Sequence, residues 1–248
     1  MRILVNGLYG FMGREVAKLA LQGCRGAELA AGADVKGGSE FGVPCAADIR
    51  EAETNVDCII DFSHHSCTDA LLDFAVSHQI PLVLATTGQT PEERAAIMAA
   101  SEKIPLFFAA NYSLGVALLV ELAKKAAASM PGAEIEIIEK HHDRKVDAPS
   151  GTALAIASAI QEVRPAATLN CGRSGQAKRT PEEIGIASIR MGNIVGEHEV
   201  MIGTQNETIT LKHEAHSRAL FAEGALAAAE FLCGKPAGLY DMKSLISF

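Results

Sequence analysis

The chain has 248 residues, is 48% hydrophobic and 21% charged, and carries a formal net charge of −8. That is the composition of a globular protein with a sizeable core, in one large domain or two smaller ones. The acidic balance leaves no basic stripe for phosphates and excludes a general nucleic-acid binder. The six cysteines (Cys24, Cys45, Cys58, Cys67, Cys171 and Cys233) form no C-x-x-C pair. They read as buried, reduced thiols, hence a cytoplasmic protein. No apolar run is long enough for a membrane span, and the N-terminal run is too short for a signal peptide.

In chain order, the apolar run Ile3-Leu4-Val5 predicts a strand. It is followed by Gly7-x-x-Gly10-x-x-Gly13 and a helical pattern through Val16, Leu19 and Ala20. Strand, glycine turn and helix form the context of a dinucleotide-binding turn, where free amides at a helix start attract a pyrophosphate. The spacing departs from G-x-G-x-x-G, with Tyr9 at the second glycine. A second run, Leu29 to Ala33, ends at Asp34, placed to accept hydrogen bonds from a ribose diol.

Further strands are predicted at Cys58–Phe62, Pro81–Ala85 and Pro105–Ala109. Helices follow through Ala70–Ala75 and from Thr90, where Pro91 and Glu93 complete a capping signature. Alternating short apolar strands and helices indicate an α/β, doubly wound parallel sheet. Ligands in such sheets lie beyond the carboxyl ends of the strands. Here those ends are Gly7–Gly13, Asp34, Phe62-Ser63, Thr86-Thr87-Gly88 and Ala109–Tyr112.

After a helix over Leu114–Ala128 the pattern changes. Glu134–Ile138 alternates as a half-buried strand, and Leu154, Ala157, Ile160 and Val163 mark a helix capped by Ser150. Between them, Glu139 to Thr152 gathers two histidines, two lysines, an arginine and three carboxylates. An imidazole there is a natural proton donor or acceptor, and Lys145 and Arg144 offer positive charge to carboxylates. The amides of Gly151 and Thr152 make a further anion site. Three strands follow, over 184–190, 197–202 and 208–212, then a helix over 218–232. They predict a second, α+β domain with a mixed or antiparallel sheet. The expected division is 1–112 plus 216–248 for the dinucleotide and 113–215 for substrate and oligomerisation.

Other polar groups read more plainly. His64-His65 suits a surface or cofactor-rim turn, and His213-Glu214-Ala215-His216 lacks the spacing for two metal ligands on one helical face. No metal is expected. The stretch Cys171–Arg179 is long and polar enough for a loop or lid. Lys178-Arg179 reads as solvated, with capture of an anionic substrate as the rival reading.

The long motif Glu139-x-His141-His142-x-x-Lys145-x-Asp147-Ala148-Pro149-Ser150-Gly151-Thr152-Ala153 resembles the signature of the dihydrodipicolinate (4-hydroxy-tetrahydrodipicolinate) reductase family. Gly7-x-x-Gly10-x-Met12-Gly13, Asp61-Phe62-Ser63, Thr86-Thr87-Gly88, Ala109–Ser113 and Gly192-x-Ile194-Val195-Gly196-Glu197-His198 extend the likeness over nearly the whole chain. The resemblance implies a Rossmann-type NADH- or NADPH-dependent oxidoreductase of lysine and diaminopimelate biosynthesis, acting on a small cyclic dicarboxylate. It implies that His141 is the acid, Lys145 the second catalytic residue, and His142, Gly151 and Thr152 the grip on the substrate carboxylates. It implies a cofactor against Gly7, Leu8, Tyr9, Gly10, Phe11, Met12, Asp34, Ala85, Thr86, Thr87, Ala109, Ala110, Asn111 and Tyr112, and a homotetramer. Tyr9 and Ala85 stand where many members of the family have glycine. Another two-domain dehydrogenase and a non-catalytic nicotinamide sensor are the competing readings.

Overall fold

The computed structural model describes residues 1–246. The chain forms two compact units, Met1–Leu114 with the segment from Ala219 onward, and Gly115–Arg218.

The first unit is built on a parallel sheet of β1 (Arg2–Asn6), β2 (Glu28–Ala33), β3 (Cys45–Ala46), β4 (Cys58–Asp61), β5 (Leu82–Leu84) and β6 (Pro105–Phe108). A late strand, β12 (Gly238–Tyr240), completes it, in the order β12-β6-β5-β4-β1-β2-β3. The strands are continuous apolar runs because both faces are covered, and Ile3, Leu4 and Val5 are all fully buried. On one face α2 (Thr68–Ser77) and α3 (Pro91–Ser101) enclose Leu4, Ile59, Leu82 and Leu106 with Leu71, Phe74 and Ile97. On the other, α1 (Phe11–Leu21) packs with α6 (Ala219–Leu232), whose alanines let it lie close to the sheet. The predicted cap of α3 is complete. The Thr90 hydroxyl accepts the Glu93 amide at 3.2 Å and the Glu93 carboxylate accepts the Thr90 amide at 2.8 Å. The chain runs outward from β1 through β2 to β3, then returns to β4 on the other side of β1. This reversal is the switch point at which doubly wound sheets open a ligand crevice.

The second unit has α4 (Leu114–Ser129) and α5 (Gly151–Val163) packed on a mixed sheet, ordered β11-β10-β7-β9-β8. Its strands are β7 (Glu134–His141), β8 (Thr168–Cys171), β9 (Glu183–Arg190), β10 (Gly196–Gly203) and β11 (Thr208–Ala215). β10 is antiparallel to β7 and β11, whereas β9 is parallel to β7 and β8. Burial alternates along β7, so Ile135, Ile137, Glu139 and His141 share its inner face. The apolar core therefore ends in a carboxylate and an imidazole.

The structure differs from the sequence expectations at several places. β7 runs through His141, so the histidine is on a strand rather than in a loop. β3, β8 and β12 were not expected, being edge strands of two to four residues. Of the free cysteines only Cys45 and Cys58 are buried, whereas Cys171 and Cys233 are exposed. Arg179 is not a solvated loop residue. It is held by the Glu136 carboxylate and the carbonyls of Ile135 and Glu183. No helix is long and apolar enough to cross a membrane among the described residues.

Candidate active site

The glycine turn is shaped by close backbone approach. Gly7 has φ +78°, and a Cβ there would lie 2.6 Å from the Phe62 carbonyl oxygen. A Cβ on Gly13 would lie 2.1 Å from the Gly7 carbonyl, so α1 can leave the turn only with glycine at that position. Gly10 occupies the N-cap of α1 without a side-chain cap. The Tyr9 amide donates to Asp34 at 3.0 Å and the Lys36 amide to its other oxygen at 3.2 Å, which fixes the carboxylate. The Tyr9 ring stacks on Phe41 at 6.4 Å, turned onto the loop after β2. A cavity of about 500 Å³ is lined by Gly7, Gly10, Asp34, Arg50, Ser63 and His64 among others. That volume falls in the range of small-molecule and cofactor sites.

The floor of the same strand ends is tied by Asp61. Its carboxylate accepts the Asn6 amide at 2.8 Å, the Ser63 hydroxyl at 2.6 Å and the Thr86 hydroxyl at 2.6 Å. Burial raises its pKa, and these hydrogen bonds oppose the rise. Of the residues the resemblance places at a cofactor, Phe11, Thr87 and Ala110 are exposed, and Met12, Ala109 and Asn111 are half-buried. The side chains of Leu8, Ala85, Thr86 and Tyr112 are buried, and the Tyr112 hydroxyl donates to the Leu84 carbonyl at 2.9 Å. Only the backbone of Leu8 and Tyr112 is left to face a ligand. His64 lines the cavity, and His65 pairs with Glu93 at 3.0 Å.

In the second unit, His141 Nδ1 lies 2.6 Å from Glu139 Oε2. Arg190 donates to both oxygens of Glu139, at 2.8 and 2.7 Å, and the Ser150 amide donates to one of them at 3.1 Å. Burial alone would raise the pKa of Glu139. The hydrogen bonds from Arg190, Ser188, His141 and Ser150 outweigh it and bring the value to about 2. Burial lowers the pKa of His141, Glu139 opposes that, and the charges of Lys145 and Arg190 add to it. Ser150 caps α5 by accepting the Ala153 amide at 3.2 Å, and its hydroxyl lies 3.0 Å from His198 Nε2. Burial, with His141 beside it, lowers His198 to about 4. The His141 and His198 rings meet edge to face at 5.1 Å.

Lys145 is held at 2.7 Å by Asp147, which gives that carboxylate a contact the sequence did not suggest. Arg144 pairs with exposed Asp143 and with Asn193, away from the buried group. Gly151 and Thr152 open α5, and His142 is half-buried with Nδ1 lacking a hydrogen-bond partner among the described residues. Sequence reasoning missed Arg190 and His198 as members of this cluster. Counting by twos back from Val200 and Ile202 places His198 on the inner face, whereas Arg190 is brought to His141 only by strand pairing.

The family model described as "Dihydrodipicolinate reductase, N-terminus" matches residues 1–112, and "Dihydrodipicolinate reductase, C-terminus" matches residues 115–246. The chain belongs to the dihydrodipicolinate reductase family. Its curated relatives include the 4-hydroxy-tetrahydrodipicolinate reductase of Caldanaerobacter subterraneus subsp. tengcongensis, 45% identical over 99% of this chain and 98% of the relative. That of Clostridium novyi is 40% identical over 99% and 98%. In fold the chain is similar to a dipicolinate-bound dihydrodipicolinate reductase from Paenisporosarcina sp. TG-14, with a TM-score of 0.83 and 24% identity. The likeness covers 100% of this chain and 99% of that one. A parallel Rossmann-type sheet with a second mixed sheet is thus the architecture of the family as well as of this chain.

Proposed function

We propose that this chain reduces 4-hydroxy-tetrahydrodipicolinate, by way of dihydrodipicolinate, to tetrahydrodipicolinate with NADH or NADPH, in lysine and diaminopimelate biosynthesis. The observation that carries the reading is the imidazole of His141 held on an ionised, buried Glu139, in a strand-to-helix segment rich in anion-binding groups. The family supplies the reaction, and the relatives are named for it. The dipicolinate in the solved relative is a planar ring dicarboxylate of the same class as the substrate.

A dinucleotide suits the first unit: close-packed glycines, a fixed Asp34 and a cavity at the sheet's switch point lie together. Gly7, Gly10 and Met12 would hold the pyrophosphate, Asp34 the ribose diol, and the backbone of Ala85–Thr87 and Ala109–Tyr112 the far half. When bound, the nicotinamide supplies hydride to the unsaturated ring. His141 supplies the proton, and Lys145, oriented by Asp147, assists with binding and charge. His142 and the Gly151-Thr152 amides receive the two carboxylates. Asp34 favours the free diol of NADH by repelling a 2′-phosphate, while Lys36 offers a counter-charge to NADPH. In this reading the first unit is the dinucleotide-binding domain. The second binds substrate and assembles a homotetramer, which light scattering tests directly, and the enzyme works in the cytoplasm.

Steady-state reduction of the cyclic substrate tests the assignment. His141→Gln and Lys145→Ala are each expected to lose roughly 100-fold or more in kcat. Wild-type turnover in both variants would overturn the mechanism. A dehydrogenase of another substrate class would instead turn over sugars or amino acids, and a sensor would bind nucleotide with no turnover.

A further inference from the structure

Glu139 is fully buried, ionised, and bonded on every side. Arg190 takes both of its oxygens, the Ser150 amide takes one, and His141 Nδ1 approaches the other at 2.6 Å. An ionised carboxylate has no proton to give, so at that distance the hydrogen must be on Nδ1. The other ring nitrogen meets a different surface. A Cβ on Gly196, the first residue of β10, would lie 3.2 Å from His141 Nε2 and 3.5 Å from Cδ2. Gly196 has no left-handed φ that would itself demand glycine. A side chain at this position would therefore press on the Nε2 edge of the ring, and glycine spares it that contact.

We infer that Glu139, clamped by Arg190, is a positioning residue that fixes His141 in the Nδ1–H tautomer, and that Gly196 keeps a side chain off Nε2, the nitrogen that exchanges the proton. The inference rests on His141 being the acid of the reduction. In the cycle, Nε2–H of the imidazolium gives its proton to the reduced ring and is reprotonated from solvent. Glu139 keeps its negative charge and Nδ1 keeps its hydrogen throughout. Arg190 prevents Glu139 from taking the proton itself, because it holds that carboxylate ionised. The charged and titratable groups around the imidazole are Glu139 on its own strand, Arg190 on β9, His198 on β10 and Lys145 in the following turn. Of these only Glu139 favours imidazolium. His198, whose Nε2 is at the Ser150 hydroxyl, supplies the edge-to-face wall. The buried dyad explains why the inner face of β7 carries a carboxylate where the pattern calls for an apolar residue.

Nitrogen–proton correlation spectra of the ¹⁵N-labelled, unsubstituted protein test the tautomer without relying on a variant that folds. With His141 assigned by comparison with His141→Gln, Nδ1 is expected to be the protonated nitrogen above the imidazole's titration, and Nε2 the bare one. The reverse tautomer overturns the inference. Glu139→Gln is expected to lower kcat by roughly 10- to 100-fold, with the KM for the reduced nucleotide unchanged. It is also expected to move the His141-linked inflection to lower pH, since the charge that favours imidazolium is gone. Glu139→Asp is expected to recover part of kcat and the original inflection, which a merely structural role would not produce. Gly196→Ala should lower kcat roughly tenfold while Nδ1 keeps its signal. A folded Glu139→Gln with wild-type kcat and pH profile, or Gly196→Ala with wild-type kcat, overturns the positioning while leaving His141 as the acid. Full activity in His141→Gln overturns the underlying reading instead.

Discussion

The Thr86 hydroxyl donates to the buried Asp61 carboxylate at 2.6 Å, joining the segment after β5 to the end of β4. The same carboxylate takes Asn6 at the end of β1 and Ser63, so one side chain ties three strand ends at the switch point of the sheet. The strand ends at the switch point are therefore tied by hydrogen bonds rather than by apolar contact alone.

Thr86→Val keeps the shape and removes one donor from a buried charge. It is expected to destabilise the protein by about 2 kcal/mol, read as a lower urea midpoint with an unchanged slope. Asp61 should then titrate at still higher pH, because burial is opposed by one hydrogen bond fewer.

Gly224 in α6 lies against the backbone of Tyr112. A Cβ there would stand 1.6 Å from the Tyr112 carbonyl oxygen, and backbone cannot turn aside as a flexible side chain can. Gly224→Ala is expected to cost about 3 kcal/mol or more, seen as a large fall in Tm, despite the higher helix propensity of alanine.

Acid stability follows from two buried groups. The Glu139 pKa is lowered from 4.5 to about 2, and that of His198 from 6.5 to about 4. In both cases the unfolded chain binds the proton more readily, so stability rises with pH across the interval. The His198 contribution is fully present above 6.5 and is lost as pH falls towards 4. The Glu139 contribution is present above 4.5 and is lost towards 2. Each amounts to about 3 kcal/mol. Urea unfolding at a series of pH values should show two successive losses, and His198→Gln should reduce the upper one, leaving the share of His141, whose pKa burial also lowers.

Nucleotide choice is expected to turn on Asp34, whose carboxylate is held by the Tyr9 and Lys36 amides. Asp34→Ser removes the charge that repels a 2′-phosphate. The ratio of kcat/KM for NADPH over NADH should rise about tenfold or more in parallel assays. Tyr9→Gly should leave that ratio nearly unchanged, because the amide that grips Asp34 is backbone and survives. Its effect should instead be faster hydrogen exchange in the loop carrying Phe41, which loses its stacking partner.

The sequence by itself determined what depends on neighbours along the chain. The buried strands read as apolar runs, the glycine turn read as strand to helix, and Thr90-Pro91-x-Glu93 and Ser150 read as caps because their partners lie three residues away. The cluster around His141 was legible because its charged residues are consecutive. Tertiary structure decided what depends on pairing between distant segments. β3, β8 and β12 are too short to show a period and exist through the strands beside them. Asp61 looked like the last residue of a strand until Asn6, Ser63 and Thr86 converged on it. Arg179 looked solvated until the carbonyls of two strands closed around it. Arg190 and His198 reach the Glu139–His141 pair only because β9 and β10 flank β7 in this register. Periodicity tells which face a residue is on, whereas its partner across that face is set by non-local hydrogen bonding, which a one-dimensional pattern does not contain.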